Sequence, residues 1–162
     1  DAGHDFGITP YGTETMHVLR AEKGFIIVGQ ETDGTLTPYD LGMGWIVSKK
    51  KDDFVGKRSL FTDNALREDR QQGVGLVAVD KNVPLPVGAH GVATHDGIRR
   101  SIGFVTSSYM SQTLGRPIAL ALIERGLSRI GETIELIHLG RTMRATIAPA
   151  CAFDPEGARI NG

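Results

Sequence analysis

Glu22 is the residue whose type and setting best suit chemistry: it stands between Arg20 and Lys23 in "LRAEKGFIIVG", directly ahead of the apolar run 25–28. A carboxylate at the mouth of an apolar segment can form two parallel hydrogen bonds with a flat cationic or amidine-like group that offers adjacent N–H donors. Such pairs strengthen as water is excluded. The competing reading of the same residues is an exposed charge cluster, contributing about a few tenths of a kcal/mol.

Other reactive side chains form weaker patterns. Lys51 lies in "KKKDD", residues 49–53, which reads as a solvated turn unless it folds over a pocket, where a cation could meet a ligand carboxylate. His90 and His95, with Asp96 beside the second, are five apart. That odd spacing sets them on opposite faces of one strand, with no third ligand near, so they read as polar turn residues rather than a metal site. His4, His17 and His138 stand alone. Ser107, Ser108 and Ser111 have no histidine and acid at a triad-like spacing. Cys151, flanked by alanines, reads as a small packed side chain. "GVGLVA", residues 73–78, matches G-x-G-x-x-A by letter, but "REDRQQ" precedes it and a strand follows. A dinucleotide fingerprint needs the reverse order, strand before and helix after.

The elements that must carry these residues change character near position 70. Thr13 as N-cap and Gly24 as stop predict a helix over about 13–23, with Met16 and Leu19 facing inward. "TPYDLGMGWIVS" predicts a turn and then a short strand through Trp45, Ile46 and Val47, and apolar residues at 54, 55, 60, 61 and 66 predict a second helix over about 56–67. From Val74 the chain reads as six strands, "VGLVAVD", "HGVATHDG", "RSIGFVTSSYM", "PIALALIE", "TIELIHL" and "TMRATIAP", the last two joined by a tight turn at Gly140. "PIALALIE" suits helix or buried strand by periodicity, and the turn signals around it favour strand in an antiparallel barrel.

Composition narrows the classes. With 18 basic and 19 acidic residues spread through 162, the chain has no electrostatic footprint for nucleic acid or an anionic membrane. One cysteine excludes an internal disulfide and fits a cytoplasmic location, and no apolar run reaches the roughly 20 residues of a membrane helix. A start at Asp1, within what reads as a loop, predicts a piece of a longer protein.

"YGTETMHVLRAEKGFIIVGQETDGTLTPYDLGMGW", "DDFVGKRSL", "IGFVTS", "IALALI" and "FDPEG" together resemble the glycine-cleavage T-protein (aminomethyltransferase) module. Within that family they are most similar to the branch that forms the C-terminal part of the α subunits of heterotetrameric sarcosine oxidases. The resemblance implies an α+β chain: residues 1–69 closing a folate-binding domain, an antiparallel barrel domain over 70–156, and a tail at 157–162. It also implies that Glu22 binds the pterin ring of tetrahydrofolate, that Lys51 stands where an arginine often lies near the folate tail, and that the catalytic aspartate lies upstream. FAD, FMN and NAD are then expected elsewhere in the complex, with the other subunits as partners. Two alternatives stay open, a stand-alone aminomethyltransferase and a non-catalytic subunit-docking module. "KGFIIVGQE" departs from the motif of folate-dependent iron-sulfur-assembly relatives by lacking a cysteine, and "FDPEGARING" departs from the usual T-protein ending, so no role is carried over to Arg159.

Overall fold

The computed structural model describes residues 1–161, with no side-chain description at 160 and 161. Its first seventy residues hold one helix, α1 (Thr13–Glu22), and a series of turns with short 3-10 segments. Then come six strands: β1 (Gln71–Ala78), β2 (His90–His95), β3 (Ile98–Ser111), β4 (Arg116–Glu124), β5 (Thr133–His138) and β6 (Arg141–Ala148). A short helix, α2 (Ala158–Asn161), follows. The strands form a closed antiparallel barrel in the order β1-β4-β3-β2-β5-β6, so the sheet has no free edge.

Hairpin chemistry fixes the register. Leu139 and Gly140 between β5 and β6, and Asp96 and Gly97 between β2 and β3, all have positive φ, the pattern of the turns whose twist matches paired strands. Val74, Leu76, Ile102, Val105, Ile123, Leu136 and Ile147 fill the barrel. β4 explains why "PIALALIE" is apolar throughout. Its Ala119, Ala121 and Ile123 enter the barrel core, while Ile118 and Leu120, on the opposite face, pack against Ala21 of α1. A strand covered on both faces loses the alternation of a half-buried one. The glycines of "GVGLVA" lie within β1, as strand and not as a phosphate loop.

Four local expectations are corrected. α1 starts at Thr13 with Gly12 as its cap and no side-chain cap bond. Its buried face is that of Ala21 and Glu22, whereas Met16 and Leu19 are 47% and 49% exposed. The small Ala21 lets the helix approach β4 closely, which a Met16–Leu19 contact face would not. Trp45 lies in a 3-10 turn, Gly44–Ile46, and is 80% exposed; the turns begun by Pro38 continue through Met43, and no strand among the described residues pairs with it. The expected helix at 56–67 is a single 3-10 stretch, Lys57–Phe61, ended where Thr62 turns the chain by accepting the Ala65 N–H on its hydroxyl and the Leu66 N–H on its carbonyl.

Candidate functional site

α1 ends in a Schellman cap: Phe25 N–H bonds the Arg20 carbonyl, Gly24 N–H bonds that of Ala21, and Gly24 takes φ +72°. Glu22 lies two positions from Arg20 and one from Lys23, so it shares a helix face with neither, and Lys23 is the C-cap, past the last helical residue. Arg20 donates to Glu31 at 2.9 Å, to the Phe25 carbonyl at 3.1 Å, to Ser107 at 2.7 Å and to Tyr109 at 3.2 Å. Lys23 turns the other way and pairs with Asp154 at 3.8 Å. Glu22 belongs to neither group. The surface charge cluster suggested by their adjacency does not form.

Glu22 is 2% exposed. Its Oε1 accepts from the Ser111 hydroxyl at 2.6 Å and its Oε2 from Thr113 at 3.1 Å, while its carbonyl accepts from the Ala152 and Phe153 N–H groups. Among the described residues it makes no ion pair. A carboxylate offers about four acceptor positions, so two hydroxyls leave room for two more donors. Beside it lies a cavity of about 500 Å³, walled by Val18, Leu19, Tyr109 and Met110 together with Glu22 and Thr113. A buried acid without a cation, next to a recess whose walls carry Tyr109 and Met110 and also the polar Glu14, Ser108 and Gln112, suits a flat ligand edged with N–H donors.

A second acid, Glu31, is also buried and holds the strap after α1 onto the barrel. It accepts from Arg20, from the Ile27 N–H at 2.8 Å and from the Ser107 hydroxyl, while Gln30 donates to Ser107 and to the Thr106 carbonyl. Further along, Asp40 accepts from Arg70 at 2.7 Å and from the Thr37 N–H and hydroxyl at 2.7 and 2.8 Å. Burial by itself pushes the Asp40 carboxyl up, but the bonds from Arg70 and Thr37 and the Arg70 charge outweigh it and hold the group below its usual range.

Lys51 is exposed and is not among the residues lining the Glu22 cavity. His90 bonds Ser101 at 2.9 Å, His95 pairs with Asp96 at 3.0 Å, and no group of three metal-ligating side chains occurs among the described residues. Cys151 lies half-buried with its Sγ against the Phe153 carbonyl. Arg159 is exposed over the Phe153 ring. The sequence reading missed Ser111 and Thr113 as partners of Glu22, since 89 and 91 positions separate them and only the barrel brings them to α1. The Glu31–Arg20 and Asp40–Arg70 pairs were likewise unseen, although "GQE" and "TPYD" carried the acids.

The model of the glycine cleavage T-protein C-terminal barrel domain matches residues 71–154, just over half of the chain. The chain belongs to this T-protein family. The GCVT N-terminal domain model matches residues 1–51. The sarcosine oxidase subunit alpha of Corynebacterium sp. (strain P-1) is 53% identical over 165 residues, covering 99% of this chain and 17% of that protein. The counterpart from Rhizobium meliloti is 41% identical with the same coverages. An aminomethyltransferase of Desulfitobacterium hafniense is 31% identical over 97% of this chain and 41% of its own length. The chain thus spans about a sixth of the sarcosine oxidase subunits it matches. The crystal structure of glycine cleavage system aminomethyltransferase T from Bartonella henselae superposes with a TM-score of 0.74 at 22% identity, covering 94% of this chain and 42% of that one, a likeness of fold.

Proposed function

We propose that this chain is the part of a sarcosine oxidase α subunit that binds tetrahydrofolate, with Glu22 accepting the 2-amino and ring N–H donors of the pterin. What carries the reading is the buried Glu22 carboxylate, which has no cation among the described residues and keeps unused acceptor capacity beside a cavity of about 500 Å³. In the whole enzyme, sarcosine is oxidised to an imine at a flavin outside these residues, and oxygen takes the electron pair to become hydrogen peroxide. The one-carbon unit of that imine passes to tetrahydrofolate, giving 5,10-methylenetetrahydrofolate and glycine. Holding the acceptor in place replaces a bimolecular encounter, and that is the task assigned here. Lys51 is assigned to the anionic tail of the folate. FAD, FMN and NAD belong to other regions or subunits of a heterotetramer, and the setting is cytoplasmic.

A second reading has its own support: the Glu22 carboxylate bonds the barrel through Ser111 and Thr113, and its carbonyl bonds residues 152 and 153, so it also joins α1 to the barrel. Glu22→Gln in the full-length assembly separates the two. For folate binding, the tetrahydrofolate Kd rises roughly 10- to 100-fold, the range expected for losing a charge-assisted bond, and methylenetetrahydrofolate yield falls while peroxide production from sarcosine continues. Unchanged affinity by calorimetry with a lowered unfolding midpoint would leave only the structural bond.

A further inference from the structure

Resting on that reading of Glu22, we propose that Ser111 and Thr113 are positioning residues that fix the carboxylate as a two-point acceptor, so that the barrel sets which pterin-like ligands α1 selects. The direction of each hydrogen bond supports this. Leu114 donates its N–H to Ser111 Oγ at 3.0 Å, so the lone hydroxyl proton of Ser111 is free to go to Glu22 Oε1 at 2.6 Å. Thr113 donates to the other oxygen at 3.1 Å. Ser111 is fully buried at the end of β3, and its contact crosses 89 positions of sequence. With one hydroxyl on each oxygen the carboxylate plane cannot rotate freely. The acceptor positions left over are therefore fixed in direction, and they suit two adjacent donors better than one.

A residue that only stabilised the fold would alter affinity for all ligands alike. A positioning residue alters discrimination. The experiment compares the Kd of tetrahydrofolate with that of its 2-desamino-2-methyl analogue, which keeps the ring N–H and loses the amino donor, using the full-length protein. The wild type is expected to prefer tetrahydrofolate by about tenfold or more, since the analogue leaves a buried acceptor unmatched. In Ser111→Ala and in Thr113→Val this ratio falls at least threefold, while Thr113→Ser, which retains the hydroxyl, restores it. Thr113 is exposed, so its variants carry the test even where Ser111→Ala does not fold. An unchanged ratio in Thr113→Val alongside wild-type discrimination overturns the positioning role and leaves Glu22 in the site. Absence of discrimination in the wild type overturns the Glu22 reading and this proposal with it.

Discussion

Gly24 shows how closely a single residue can be specified. It needs the left-handed conformation that ends α1, and a Cβ there would stand 2.7 Å from the Ala150 carbonyl carbon. Left-handed backbone alone costs most residues about 1–2 kcal/mol, a cost that Asn escapes in part. Gly24→Asn is nevertheless expected to destabilise as much as Gly24→Ala, by more than that figure, because any Cβ meets the same backbone. A urea midpoint for the Asn variant close to wild type would show that conformation, not approach, selects glycine. The stop signal of this glycine was legible from its place after a helical segment. Its contact with Ala150 was not, since 126 positions separate the two.

Among the elements, the turn around Asp40 holds the irregular half to the barrel. Arg70, just before β1, reaches the Asp40 carboxylate, and Gly73 donates to the Asp40 carbonyl at 2.7 Å. Both partners are nearly buried, so Asp40→Asn, which removes the countercharge but leaves Arg70 its bonds to the Thr35 and Asn64 carbonyls, is expected to cost about 1.5–3 kcal/mol in chemical unfolding. The pH dependence has a definite sign. A carboxyl held below its unfolded value, about 3.9, stabilises fully above that value and loses the contribution as pH falls through the lower folded one. Acid titration of stability should therefore show a drop below about pH 4 that is reduced in Asp40→Asn. Equal acid sensitivity of both proteins would place the drop in other carboxyls. "TPYD" was read as a turn correctly, but the strand expected after it had no neighbour to pair with among the described residues, and strands form only where one is supplied.

Across the whole molecule, packing is uneven. The barrel has a closed ladder and a filled interior, whereas residues 25–69 hold buried Glu31 and Asp40 but leave Phe25, Val28, Trp45, Val55, Phe61 and Leu66 exposed. Leu136→Ala, which empties a fully buried site in the barrel, should cost about 2–5 kcal/mol of unfolding free energy. Hydrogen exchange in the full-length protein should be slowest in β1, β3 and β4, with the amides of 25–69 opening at lower free energy. Equal protection in both halves would mean that the irregular half draws comparable stability from elsewhere in the polypeptide.

From the sequence alone came the six strands and the β5–β6 hairpin, because apolar runs and glycine-bearing tight turns are local, and so did Glu22 as the acid to watch. Tertiary structure decided which face of α1 is buried, that Arg20 and Lys23 leave Glu22 for other partners, and that two barrel hydroxyls grip its carboxylate. Contacts across some ninety positions depend on how strands close into a barrel, and no local pattern of residues encodes that closure.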